Sequence, residues 1–226
     1  MTQKMIRSVL LAGIAAASLI ICGNGSSWAS VKSNSTDRAA NSPSSKIAIA
    51  VSAQDEMRQE AENFVRSVSS RGIGFLQNKS LTYDQQRREF DALLRDSFDL
   101  RTIGRFALGR YWRNASKAQR SEYLKLFKNM VIESYAQRFG EYGGQTLTVE
   151  RSRMDNERDT IVFSRLSGSQ PVSIDWRVRH KNGEYRVVDI MVEGVSMSLT
   201  QRSEFSAIIQ RGGGDVQVLI DKLKEY

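Results

Sequence analysis

Asn182-Gly183, set between two runs that alternate apolar and polar residues, restricts this chain more than any other feature. Both residues accept positive φ, which a two-residue type I′ turn demands, so residues 171–180 and 184–193 are expected to be antiparallel neighbours. A simple two-residue loop pairs positions equidistant from the turn: Ile174 with Met191, Trp176 with Asp189, and Val178 with Val187. Val172, Ile174, Trp176 and Val178 then share one face, while Ser173, Asp175, Arg177 and Arg179 face water. The partner run, 187–192, is apolar on both sides apart from Asp189, which is the mark of a central strand. A lone carboxylate on an apolar face is costly unless it is hydrogen-bonded or paired. Three resolutions stay open: backbone amides or an arginine satisfy Asp189, it is a general base in a pocket, or a one-residue bulge turns it outward.

Two further strands, 145–153 and 158–166, precede the hairpin. Asp155-Asn156 and Ser167-Gly168-Ser169 separate them, and links this short imply an antiparallel meander. Upstream the period is helical. Ser52 and Asp55 resemble an N-cap with an acidic first turn, and Met57, Ala61, Phe64, Val65 and Val68 predict a helix over 53–70. Leu76 and the 82–98 segment predict two short helices. Ser116 with Gln119 three residues on is a capping box. Tyr123, Phe127, Val131, Tyr135 and Phe139 then recur every fourth residue until Gly143-Gly144, so one long helix with an aromatic stripe is expected. A helix over 200–210, a break at Gly212 to Gly214, and a last helix capped by Asp215 close the chain. Helices first, strands next and a closing helical pair make an α+β domain whose curved four-stranded sheet packs its concave face on helices.

The first 29 residues read as a signal peptide: Lys4 and Arg7, an apolar stretch from Ser8 to Cys22, and Ser27-Trp28-Ala29 before the cut. Ile21 before Cys22 argues against a lipoprotein anchor, where a small residue is wanted. Residues 30–52, rich in Ser, Asn and Ala without apolar period, read as a disordered tether, which leaves 53–226 as the folded domain. Loss of Lys4 and Arg7 from 33 basic residues leaves 31 against 25 acidic ones, a net of +6. These charges are interleaved rather than run together, so a solvated surface is expected and nucleic acid is not. Cys22 is the one cysteine and His180 the one histidine. An exported chain then has no thiol, and neither a transition-metal site nor a Ser-His-acid triad is expected. No GxGxxG or P-loop pattern occurs.

Two blocks carry a resemblance. FDLRTIGRFALGRYWRNASKAQRSEYLKLFKNMVIESYAQRF (98–139), with its Phe-Asp, Leu-Gly-x-Tyr-Trp and Gln-Arg features, followed by VVDIMVEGVSM (187–197), closely resembles the MlaC family. The family is also called the toluene-tolerance auxiliary or periplasmic phospholipid-binding family. The likeness runs from about residue 53 to the C-terminus, and the pair of blocks in this order is specific. It implies an NTF2-like cone and a periplasmic carrier with phospholipid as cargo and no cofactor. It further implies shuttling between an inner-membrane MCE-type ABC transporter complex and an outer-membrane lipoprotein complex. Relatives associated with hopanoid lipids belong to the same family. Gly194 would let the chain bend over the cavity mouth, so that Val195 and Met197 stay covered.

On this resemblance the expected lipid-binding wall is Phe98, Phe106, Tyr111, Trp112, Phe127, Met130, Val131 and Tyr135 from the helices. The sheet would supply Ile174, Trp176, Val188, Ile190 and Val192. Arg105, Arg110 or Arg113 would meet the phosphate head group or dock a partner. A cavity of about 1,000 Å³ would suit two acyl chains. The same side chains could instead fill a solid core, and a void between the layers separates the two cases. An enzyme on the same cone with Asp189 as base, and a lipid-free adaptor bridging membrane complexes, are the rivals.

Overall fold

Helix α1 (Pro43–Gln77) begins in the segment read as tether and absorbs the Leu76 segment expected to be separate. The structure is a computed structural model that describes residues 43–226, with side chains from residue 53 onward. The signal-peptide reading of 1–29 and most of the tether lie outside the described residues. Residues 56–226 form one compact unit, and residues 1–55 are a second, of which only the helical start is described.

Helix α2 (Tyr83–Ser97) starts from a Thr82–Gln85 capping box, and α3 (Leu100–Leu108) from Asp99, whose carboxylate accepts from Thr102 N at 2.9 Å. A short α4 (Tyr111–Asn114) leads to α5 (Lys117–Ala136), where the Ser116–Gln119 box forms as the sequence implies. Helix α5 ends at Ala136 rather than running on to Gly143. Phe139 sits in a 3₁₀ turn (Phe139–Glu141), edge-on to Phe75 and Phe90 with ring centroids 5.6 and 5.5 Å away. Those aromatic contacts hold the chain where a continued helix would carry Phe139 elsewhere.

Strands β1 (Leu147–Met154), β2 (Asp159–Leu166), β3 (Val172–Lys181) and β4 (Glu184–Val192) pair antiparallel in sequence order, and a fifth short strand, β5 (Val195–Ser196), follows β4. Helices α6 (Met197–Arg211) and α7 (Val216–Leu223) close the chain, the latter capped by Asp215. The fold is α+β, with five strands where four were expected.

The hairpin register holds near the turn and then slips. Val178 faces Val187, but a bulge at Val188 moves every later pair by one residue: Arg177 faces Asp189, Trp176 faces Ile190, and Ile174 faces Val192. The pairings Ile174 with Met191 and Trp176 with Asp189 are therefore corrected. A side chain alternates faces along a strand, so one extra residue flips everything beyond it. The bulge takes Asp189 off the Trp176 face and leaves Ile190 and Val192 on it.

On its new face Asp189 is fully engaged. One carboxylate oxygen accepts from Ser198 N at 3.1 Å and from Ser198 Oγ at 2.5 Å, the other from Ser196 Oγ at 2.6 Å. Ser196 is the N-cap of α6, so the carboxylate ties β4 to the positive end of that helix. Strand β4 is apolar on both sides for a related reason. Helices α6, α3 and α2 pack against it, and along its outer edge Phe98 bridges Val187, with Asp99 N donating to Val187 O at 2.9 Å. Asp175, Arg177 and Arg179 are half-buried rather than bathed in water. Arg179 forms a two-pronged pair with the buried Asp159, at 2.7 and 2.8 Å.

Apolar side chains gather in two clusters that stay apart. One is wholly helical: Leu108, Tyr111, Tyr123, Phe127, Phe205, Ile209 and Leu219 from α3 to α7. The other joins α1 and α2 to the concave face of the sheet, through Ala61, Val65, Val68, Leu93, Val162, Trp176, Val178 and Val187. The main packing partners of α5 are α7, α2 and α3, and the strands are not among them.

Candidate functional site

The stripe on α5 passes from solid core into open space. Tyr123 is fully buried and its hydroxyl donates to Gly104 O at 2.8 Å. Gly104 is glycine for a steric reason: a Cβ there would lie 2.9 Å from Leu124 Cδ2 and 3.0 Å from Phe127 Cδ1. One turn later Phe127 is still buried, then Val131 is half-buried, and Tyr135 is 43% exposed. The stripe therefore does not face one uniform environment.

Tyr135 describes that environment. Burial pushes its phenol above the ordinary tyrosine range, with the charge of Arg138 pulling the other way. Tyr135 is thus partly open on its helix while the protein around it disfavours the phenolate. Phe90 flanks it, ring centroids 6.3 Å apart, and Tyr135 makes no hydrogen bond among the described residues. On the Trp176 face of the sheet, Ile174, Ile190 and Val192 are half-buried, and Ile174 and Ile190 pack against the sheet cluster. Farther along the same face, Trp176, Val178 and Val187 are sealed in the cluster they share with α1.

The expected wall divides accordingly. Val131 packs against the helical cluster and Ile174 and Ile190 against the sheet cluster, each half-buried as is Val192, while Tyr135 is 43% exposed. Tyr111, Phe127 and Met130 are packed inside the helical cluster, with Trp112 at its margin. Phe98 and Trp176 belong to the sheet cluster, where the indole N–H donates to Ser164 Oγ at 3.0 Å, and Val188 is buried at the bulge. Phe106 is 42% exposed with the Arg202 guanidinium 5.2 Å from its ring.

Arg105, Arg110 and Arg113 are exposed and gather around α4. Arg105 lies 6.0 Å from the Trp112 ring, and Arg110 stacks 5.0 Å from the Tyr111 ring while donating to its hydroxyl at 2.9 Å. Arg120 near the start of α5 holds this region through Trp112 O at 2.8 Å and Arg113 O at 3.1 Å. Tyr135 is fifteen residues farther along the helix, roughly 22 Å at 1.5 Å per residue. The three arginines therefore sit at the opposite end of α5 from Tyr135.

A recess of about 480 Å³ lies at the hairpin end of the sheet and is lined by Arg95, Phe98, Asp99, Arg179, Lys181 and Arg186 among others. Its charged lining is unsuited to hydrocarbon. His180 stacks on Tyr185 with centroids 4.6 Å apart. Among the described residues no helix is long and apolar enough to cross a membrane, and no group of three or more His, Cys, Asp or Glu could hold a metal ion.

Helices packed on an antiparallel meander define an α+β domain. The chain belongs to the MlaC family, whose model, described as MlaC protein, matches residues 66–225. It is 26% identical over 133 residues to the intermembrane phospholipid transport system binding protein MlaC of Haemophilus influenzae, covering 56% of this chain and 61% of that protein. It is 25% identical over 114 residues to toluene tolerance protein ttg2D of Pseudomonas putida, covering 50% and 53%. The matches thus span less than two thirds of either relative. A phospholipid-binding protein of Ralstonia solanacearum, solved in complex with a phospholipid, shares the fold with a TM-score of 0.65 at 23% identity, covering 73% of this chain and 95% of that one.

Proposed function

We propose that this chain is a periplasmic phospholipid carrier that holds the acyl chains in the hollow between α5 and the sheet. The observation that carries the proposal is the aromatic stripe of α5, which leaves the solid core at Phe127 and ends on Tyr135, 43% exposed. Two acyl chains carry on the order of 28 methylenes, whose exposure to water would cost roughly 22 kcal/mol. Unassisted passage between membranes is closed off by that cost, and an apolar hollow removes most of it. A bilayer shelters the same chains equally well, so transfer is near balance and its direction comes from partner complexes. The relatives named for intermembrane phospholipid transport and for phospholipid binding support the cargo. By the same family relation, the partners are an inner-membrane MCE-type ABC transporter complex and an outer-membrane lipoprotein complex. Asp189 has both oxygens occupied by Ser196 and Ser198, which supports a binding protein over an enzyme that uses it as base.

The test is to extract the purified mature protein with organic solvent and identify the extract by mass spectrometry. Stoichiometric diacyl phospholipid is the expected result. A hopanoid in its place would transfer the carrier to that branch of lipid chemistry, and an extract without lipid would overturn the proposal.

A further inference from the structure

We propose that the face shared by α3 and α6 seats the protein on a bilayer surface that contains anionic phospholipid. Phe106 and Leu199 enter the headgroup layer, while Arg101, Arg105, Arg110 and Arg202 meet its phosphates. Seating of this kind is separate from what the protein carries, so it stands or falls independently of the carrier reading.

Charge is the first observation. Between Asp99 and Glu122 the chain carries six basic residues and no acidic one: Arg101, Arg105, Arg110, Arg113, Lys117 and Arg120. Neither these six nor Arg202 form an ion pair among the described residues. The bordering carboxylates are engaged elsewhere: Asp99 by Thr102 at 2.6 Å, Glu122 by Lys224 at 3.1 Å, and Glu204 by Gln201 at 3.2 Å. Arg88 and Arg138 are unpaired too, but Glu89 and Glu141 stand close to them in the chain. Exposed apolar surface is the second observation. Phe106 is 42% and Leu199 54% exposed, and both belong to one face. Helices α3 and α6 pack along each other, the Arg202 guanidinium lies 5.2 Å from the Phe106 ring, and Leu199 is one turn before Arg202 on α6. A Cβ at Gly109 would come 2.9 Å from Arg202 Nε, so this arginine reaches from α6 to the end of α3. Arg101 precedes Arg105 by four residues on α3, which puts both on one side, and Arg105 adjoins Phe106. The third observation is how the guanidiniums are held. Arg202, Arg110 and Arg105 lie against the rings of Phe106, Tyr111 and Trp112 rather than against carboxylates, so their charge is uncompensated. A protein partner is recognised through a packed, complementary patch, whereas here the two apolar groups stand on different helices with a guanidinium between them. A bilayer interface demands no matching shape. It accepts bulky apolar side chains into the headgroup layer and draws in cations through the negative potential of anionic lipid.

The experiment is co-sedimentation of the purified mature protein, cargo left in place, with vesicles of phosphatidylcholine alone or mixed with phosphatidylglycerol. Wild type is expected in the pellet with the mixed vesicles and in the supernatant with phosphatidylcholine, and about 0.5 M salt should release it, because charges are then screened within a few ångströms. A cation near an anionic surface is worth about fivefold in binding, so Arg101→Gln combined with Arg105→Gln should weaken it about 25-fold. Leu199→Ser removes an apolar group that is 54% exposed and should weaken it about fivefold. Arg88→Gln combined with Arg138→Gln, the same loss of charge outside the face, should change it less than about twofold. None of these four arginines has an ion pair among the described residues, so both double variants should melt at the wild-type temperature, which separates lost seating from lost folding. Wild type that stays in the supernatant with the mixed vesicles overturns the proposal and assigns the face to an acidic protein instead. Equal weakening by the two double variants also overturns it, since overall charge and not this face would then be acting. Vesicle binding by a protein whose solvent extract holds no lipid would sink the carrier reading alone.

Discussion

Removing the Asp189 carboxylate tests whether this residue is a structural tie. Asp189→Ala deletes three hydrogen bonds to a charged acceptor, from Ser196 Oγ, Ser198 N and Ser198 Oγ, together with a favourable charge at the N-terminus of α6. Bonds of this kind contribute roughly 1.5 kcal/mol or more each. Asp189 is half-buried, so water can replace part of what is lost, and Ser196 still accepts from Leu199 N at 3.1 Å. A net loss of about 3 kcal/mol is expected, which for a domain of this size lowers the melting temperature by roughly 6–12 °C. Asp189→Asn, which keeps an acceptor without the charge, should fall between wild type and Ala. The assay is thermal unfolding of delipidated protein, because bound lipid stabilises the folded state by mass action. Lipid stoichiometry of the folded variant should be unchanged. A melting temperature equal to wild type, with lipid handling abolished, would refute the argument and restore Asp189 as a functional carboxylate.

Burial alone would push the Asp159 carboxyl up, but hydrogen bonds from Arg179 and Asn156 outweigh it and hold it below the usual carboxylate range. Such a group stabilises the fold above its unfolded pKa of about 4, and the contribution is lost as pH falls through the lower folded value. Asp159→Asn should therefore cost about 2 kcal/mol at pH 7 in urea unfolding, and the gap to wild type should shrink in acid below pH 4; a gap independent of pH would reject this. Ile174→Trp distinguishes hollow from core: overpacking a solid interior costs about 1–3 kcal/mol, whereas added bulk in a hollow should leave stability near wild type and reduce the lipid extracted per protein. A large drop in melting temperature with undiminished lipid would mean that Ile174 faces packed side chains.

The aromatic stripe and the apolar face of β3 follow from spacing, whereas setting α5 opposite that sheet as a lipid-binding wall came from the family resemblance. What spacing cannot convey is depth. Tyr123 and Tyr135 hold equivalent places in the repeat, yet one donates to Gly104 O inside a packed cluster and the other is 43% exposed. Local periodicity assigns a face to a side chain but not the distance to whatever lies opposite.

The elements themselves came from local chemistry. The Ser116–Gln119 box starts α5, Asn182-Gly183 turns the hairpin with Asn182 and Gly183 both at positive φ, and Asp215 caps α7, because each needs only residues a few positions apart. The bulge at Val188 was open to suspicion, since a carboxylate sat on an apolar face, but its occurrence was decided by α6, whose N-terminus supplies the donors that Asp189 requires. Strand β5, the Phe98 bridge to Val187 and the separation of the two apolar clusters also depend on partners elsewhere in the fold. Capping and turn formation are decided within a few residues, while space between layers is a property of how whole helices and sheets come to rest against one another.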